Sequence, residues 1–404
     1  MTKESLYAPA EVSRWQSLAL GIGAIATIAW LVGLVVGGEH GKEQALRSWL
    51  LGFIYWAGIS VGSIGILLLQ YLTGGAWGVV IRRIAEAGSR TIIWVAVLFA
   101  PIMLGITTIY HWATDIDKIV QWRIIYLNPT SFGVRAFIYF AIWFIIAYLL
   151  NKWSAQQDET TNPEDSAKFL GRATAFSGPT MVIFALVVTF ASIDWVMTLD
   201  KHWFSTIWGL LYLIGWALTT FAFIIALLAN LMDKEPFNRI LGKKHFHDIG
   251  KLMLALVMVW TYFNLSQFLI IYSGNLPEET PWYITRMNGG WQYVGLILIL
   301  FHFAFPFLIL LSRDVKRNAK WLSMMAVFIL LIRFVDIYYH IGPTSFHGQP
   351  HYGNPFHISW MDFVAPVAVG GLWLWWFFGE LKKRPLLPHQ DPFVENAIKH
   401  GQQH

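Results

Sequence analysis

The chain has 404 residues, 56% of them hydrophobic and only 13% charged, with 22 Trp and 29 Phe. A soluble domain carries about 25% charged residues, so an integral membrane protein is expected. With no Cys there is no disulfide, no Cys-ligated iron–sulfur cluster and no c-type haem attachment within the chain. The net charge of +5 is no nucleic-acid signature, because Lys and Arg concentrate in loops on one membrane side.

Apolar runs of spanning length lie near residues 16–37, 48–72, 91–112, 132–152, 174–199, 204–230, 249–273, 288–312, 319–341 and 358–380. They predict an all-α membrane protein with ten transmembrane helices. The first run lacks a small-x-small cleavage site and is read as an anchor, not a cleaved signal. The N-terminus, the even-numbered loops and the C-terminal tail hold about 21 Lys and Arg, the odd-numbered loops about 7. That asymmetry predicts cytoplasmic N- and C-termini. The loops are short, so no soluble domain is expected. The tail after residue 380 should be extended or docked on a partner.

Along the chain, "YLTGGAWGVVIRR" closes the second span, with Arg82 and Arg83 expected to anchor it in the cytoplasm. "GISVGSIG", residues 58–65, offers a small-residue face for close helix packing. Neither stretch is a phosphate loop, since no Lys-Ser/Thr follows the glycines. Ser177, Thr180, Thr189 and Ser192 run along the fifth span toward Asp194. Such hydroxyls line a wet path in some proteins and more often bond their own helix carbonyls.

The costly polar residues gather toward the side opposite the termini. Asp194 lies in the outer half of the fifth span, and Asn264 and Gln267 share a face of the seventh. His302 is near the middle of the eighth. In "FILLIRFVDIYYHIG", Arg333, Asp336 and His340 project from one face of the ninth. His111 and Asp362, at the ends of the third and tenth spans, are expected at the interface. Each charge near a bilayer centre costs about 2.5–3.5 kcal/mol on insertion scales, which favours buried function over several independent helix locks. Arg333 is expected to neutralise Asp336 and, across the bundle, Asp194.

A carboxylate, an arginine, amides and a histidine between aromatic walls suit a quinol head, whose hydroxyls need acceptors and whose carbonyls need donors. The same constellation suits a proton relay without quinone. A structural anchor and an independent proton-coupled transporter are the alternatives, although no pair of broken half-helices marks a midplane substrate site. A bis-histidine haem is disfavoured, because only His302 is clearly deep. His340, His347, His351 and His357 match no standard zinc spacing.

"LTGGAWGVVIRR", "SIDWVMTLDKHWFSTIWG", "FLIIYSGNLPEETPWY", "LILLSRDVKRN" and "RFVDIYYH" together resemble the second NrfD/PsrC-like membrane subunit of bacterial alternative complex III. The resemblance runs from about residue 50 to 380. It implies two four-helix bundles, spans two to five (48–199) and six to nine (204–341), flanked by spans one and ten (358–380), with the segment 16–47 before them and the tail 381–404 after them. It implies a bacterial inner-membrane complex that oxidises quinol, menaquinol included. The implied partners are a homologous membrane subunit, an iron–sulfur protein, and multihaem and monohaem cytochromes c that hold the redox centres. This chain would bind no cofactor or metal itself. It would contribute a quinone-facing or proton-conducting pocket formed from Asp194, Arg333, Asp336, His302, Asn264, Gln267 and His340.

Overall fold

The computed structural model describes residues 6–344, 355–388 and 390–402. Ten of its helices are long and apolar enough to cross a membrane. These spans are Ala10–Val36, Gly38–Thr73, Ala76–Leu104, Pro129–Glu159, Pro163–Leu199, Trp208–Leu231, Lys243–Gly274, Trp291–Leu311, Ala319–Ile341 and Met361–Lys382. Each expected apolar run falls on one of them. Most helices exceed the run by several residues, because a helix continues into the interface where polar residues no longer cost insertion energy. Asn128, Asn162 and Asn318 accept backbone N–H groups at the starts of the fourth, fifth and ninth spans. With an even number of spans, both termini lie on one face, called here the terminus face; the opposite one is the far face.

The second span is the axis of the molecule. In its most apolar stretch 89% of residues are buried, against 22% in the first and seventh spans. It packs on the first, third, fifth, sixth and tenth. The sixth span packs in turn on the fifth, seventh and ninth, and the first lies along the tenth. The glycine face explains the closest of these approaches. A methyl group on Gly58 would overlap the Trp216 ring, and one on Gly62 would overlap the Thr220 hydroxyl, so the second and sixth spans meet only where side chains are missing.

On the terminus face the expectation for Arg82 and Arg83 fails. Both are buried. Arg82 donates to Glu86 at 3.1 Å, Asp391 at 2.6 Å and Gln157 at 2.7 Å, and Arg83 donates to Glu86 at 2.7 Å and also to Asp158. Arg384 approaches Glu86 at 3.6 Å. A guanidinium in a low-dielectric site needs such partners, and the third span, the fourth span and the C-terminal tail supply them. Asp391 belongs to the tail, which therefore folds back on its own bundle. Leu386 N–H donates to the Leu6 carbonyl at 2.7 Å, and helix Val394–Gln402 places His400 2.8 Å from Asp248.

Candidate functional site

Two polar nodes sit toward the far face. The first is built on the fifth span. Asp194 is buried, and the Arg135 guanidinium grips its carboxylate through Nε at 2.7 Å and Nη2 at 3.1 Å. The Tyr139 hydroxyl donates to the same carboxylate at 2.7 Å. Arg135 and Tyr139 are one helical turn apart on the fourth span, so a single face presents both donors. Arg333 is therefore not the partner of Asp194. The expectation fails because an arginine on the adjacent fourth span lies closer.

Arg135 Nη1 also donates to the Tyr126 carbonyl at 2.8 Å and the Ser131 hydroxyl at 2.6 Å, and its Cζ lies 3.7 Å from the centre of the Tyr126 ring. Its second Nη2 hydrogen has no partner among the described residues. Arg135 lines a far-face cavity of about 490 Å³, together with Tyr126, Met197, Lys201 and Trp203. Trp122 and Ile125 at its rim are 92% and 89% exposed, which places apolar surface against lipid beside the opening. Lys201 closes the other side, 2.6 Å from Asp115 and 3.1 Å from Asp117.

The second node is built on the ninth span and is sealed. Arg333 is hydrogen-bonded to Asp336 one turn on, as their spacing requires, and both are buried. Its Nε reaches the Thr219 hydroxyl at 3.3 Å. The guanidinium lies flat against Gly215 of the sixth span, where a methyl group would collide with it. His340 Nε2 stands 4.0 Å from the other Asp336 oxygen, and its Nδ1 is 3.2 Å from the Tyr212 hydroxyl. Arg286, from the loop before the eighth span, fixes this turn. It stacks on Trp282 at 3.7 Å and donates to the carbonyls of Tyr339 and His340 at 3.0 and 2.8 Å.

His302 lies in a π-helical turn, Leu298–Ala304, that interrupts the eighth span. Such turns add a residue to the helix and re-aim a side chain. The imidazole is buried and stacked on Trp260 at 3.6 Å, and neither ring nitrogen has a hydrogen-bond partner. The Trp260 indole also neighbours Asp336, so His302, Trp260, Asp336 and Arg333 form one contiguous cluster between the seventh, eighth and ninth spans.

Other candidates stay apart from both nodes. Asn264 donates to its own helix carbonyl at Trp260 at 2.9 Å. Gln267 accepts from Ser205 at 2.7 Å and pins the loop before the sixth span. Ser177, Thr189 and Ser192 donate to carbonyls of their own helix at 2.7, 2.8 and 2.8 Å. Asp362 is the second residue of the tenth span. It is buried and accepts from Ser48 at 2.6 Å and Gln44 at 2.7 Å, because the second span shields it. His111, by contrast, is partly exposed in a short turn past the third span. His347 and His351 lie outside the described residues. No group of three or more potential metal ligands occurs among the described residues.

Sequence reading missed Arg135, Tyr139 and Arg286. Arg135 stands at the start of a span, where a cation ordinarily reads as an interfacial anchor.

No protein-family model matches the chain. It is similar to the Hdr-like menaquinol oxidoreductase integral membrane subunit of Archaeoglobus fulgidus, 24% identical over 307 residues, which cover 72% of this chain and 69% of that protein. The ten apolar helices and this integral-membrane relative agree on a multi-pass membrane protein.

Proposed function

We propose that the chain is a membrane subunit of a quinol-oxidising electron-transfer complex, and that the Arg135–Asp194 node faces the quinol. The observation that carries the reading is that Arg135, which grips the buried Asp194 carboxylate, also lines a cavity of about 490 Å³. That volume lies in the range of about 300–1,000 Å³ typical of small-molecule sites. Support from outside the chain comes from the menaquinol oxidoreductase subunit it resembles.

Arg135 donates to a ring oxygen of the quinol, and Tyr126 and Trp203 wall the ring. Oxidation of a quinol releases two electrons and two protons. The electrons pass to a partner subunit, since Cys is absent here. One proton passes to the Asp194 carboxylate beside Arg135, with Tyr139 holding that carboxylate in place, and the other leaves to water at the far-face mouth of the cavity. The sealed Asp336 node serves proton movement within the second bundle, with His340 and His302 as neighbouring bases. This division follows the reading of spans two to five and six to nine as separate four-helix bundles.

The finer assignment is an NrfD/PsrC-like subunit at the ActF position of alternative complex III, in a bacterial inner membrane with cytoplasmic termini. There the far face is periplasmic, toward iron–sulfur and cytochrome c partners. Purification from native membranes tests this. The chain should arrive with c-type haem and iron–sulfur subunits, and Arg135→Lys should raise the KM for quinol about tenfold, because an ammonium cannot reproduce the fork. A chain that purifies alone, or a variant complex with unchanged kinetics, contradicts the reading.

A further inference from the structure

A groove of about 360 Å³ opens on the terminus face between the third, fourth and tenth spans. Its rim carries Arg90, Lys152 and Arg384 against the single carboxylate of Glu380. Glu380 is already engaged, since Arg90 Nε donates to it at 3.0 Å. Arg384 leans on Asn151, donating to its carbonyl at 3.0 Å, and on Glu86 beyond the rim. Lys152 has no ion pair among the described residues, and its ammonium stands 6.0 Å from the Tyr148 ring centre. The rim therefore holds positive charge that the protein does not neutralise.

The lower wall is of a different kind. Ile93, Phe144 and Tyr148 are 51%, 42% and 54% exposed, and they face outward from two neighbouring spans. A basic rim above an apolar trough at the membrane surface matches a molecule with an anionic head and acyl chains. We propose that this groove binds an anionic glycerophospholipid, with its phosphate between Lys152, Arg90 and Arg384 and an acyl chain along Phe144 and Ile93. A zwitterionic lipid carries its own cation and gains less from the unpaired charge. A free phosphate ion leaves the apolar wall uncovered.

The test uses the purified complex in nanodiscs containing phosphatidylglycerol with a photoreactive diazirine in one acyl chain. Wild-type complex should label peptides spanning residues 90–97 and 144–152. Excess unlabelled phosphatidylglycerol should suppress that labelling, whereas phosphatidylcholine and inorganic phosphate should not. Lys152→Gln removes one headgroup contact and should weaken labelling there about fivefold, with quinol oxidation unchanged. Equal competition by phosphatidylcholine would show general lipid contact and overturn the proposal. So would suppression by inorganic phosphate, or wild-type labelling of Lys152→Gln.

Discussion

The two far-face nodes use the same ingredients, a buried aspartate and an arginine, yet they differ in where the spare bonding capacity lies. At Asp194 the carboxylate is held by Arg135 and Tyr139, and the spare donor belongs to Arg135, which also lines a cavity. At Asp336 the donor and carboxylate face each other within one helix, and the unused capacity is inward, on the two unpartnered nitrogens of His302. A substrate needs an open edge, whereas a proton needs only a group whose bonding can be rearranged. Residue type and depth alone do not separate those roles. Whether the residue that carries the free N–H or lone pair lines a cavity does.

The largest effect that sharpens this contrast comes from Asp194→Asn. The amide keeps the shape but not the proton affinity, so quinol oxidation by the assembled complex should fall by about 10²–10⁴-fold, the ordinary range for a lost acid–base group. Near-normal turnover would reduce the first node to a helix lock. Asp336→Asn should lower turnover or proton release by less than Asp194→Asn does, because Asp336 does not touch substrate, while haem content shows normal assembly. If that variant merely assembles poorly and the surviving complex turns over at the wild-type rate, the second node is structural.

How much of this the sequence shows depends on sequence separation. Arg333 and Asp336 were legible as a pair because three residues on a helix place side chains on one face. The ten spans were legible because hydrocarbon thickness sets their length. Arg135 and Asp194 are brought together only by the packing of the fourth span on the fifth, which no local pattern encodes. Arg82 and Asp391 are further apart still, and a basic pair after an apolar run looks alike whether it meets lipid or a folded-back tail. Asn264 and Gln267 do share a helix side, but the nearest acceptor for Asn264 is its own backbone.

Smaller perturbations probe the packing behind each node. Gly215→Ala places a methyl group against the Arg333 guanidinium and should cost about 1–3 kcal/mol, as overpacked sites do. Thermal denaturation of the complex would read that loss, and turnover should fall as for Asp336→Asn while the KM for quinol stays put. A raised KM would mean that the two nodes are not separate. At the cavity rim, Lys201→Gln should cost no more than about 1 kcal/mol, because the Asp115 it bonds is largely exposed. The Lys201 hydrogen bond lowers the Asp115 pKa. Its contribution is therefore present above the ordinary aspartate pKa and is lost as pH falls through the lowered one. The wild-type and Lys201→Gln melting curves should converge on acidification, and a gap that persists at low pH would assign the effect to packing.

The central claim is that quinol meets this chain at the open node and not at the sealed one. A density map of the assembled complex with a bound quinol analogue tests it directly. The account predicts a ring in the cavity beside Tyr126 and Trp203, with one oxygen within hydrogen-bonding distance of Arg135 Nη2. A ring seated instead against His302 and Asp336, or bound only to another subunit with this cavity filled by lipid, would contradict it.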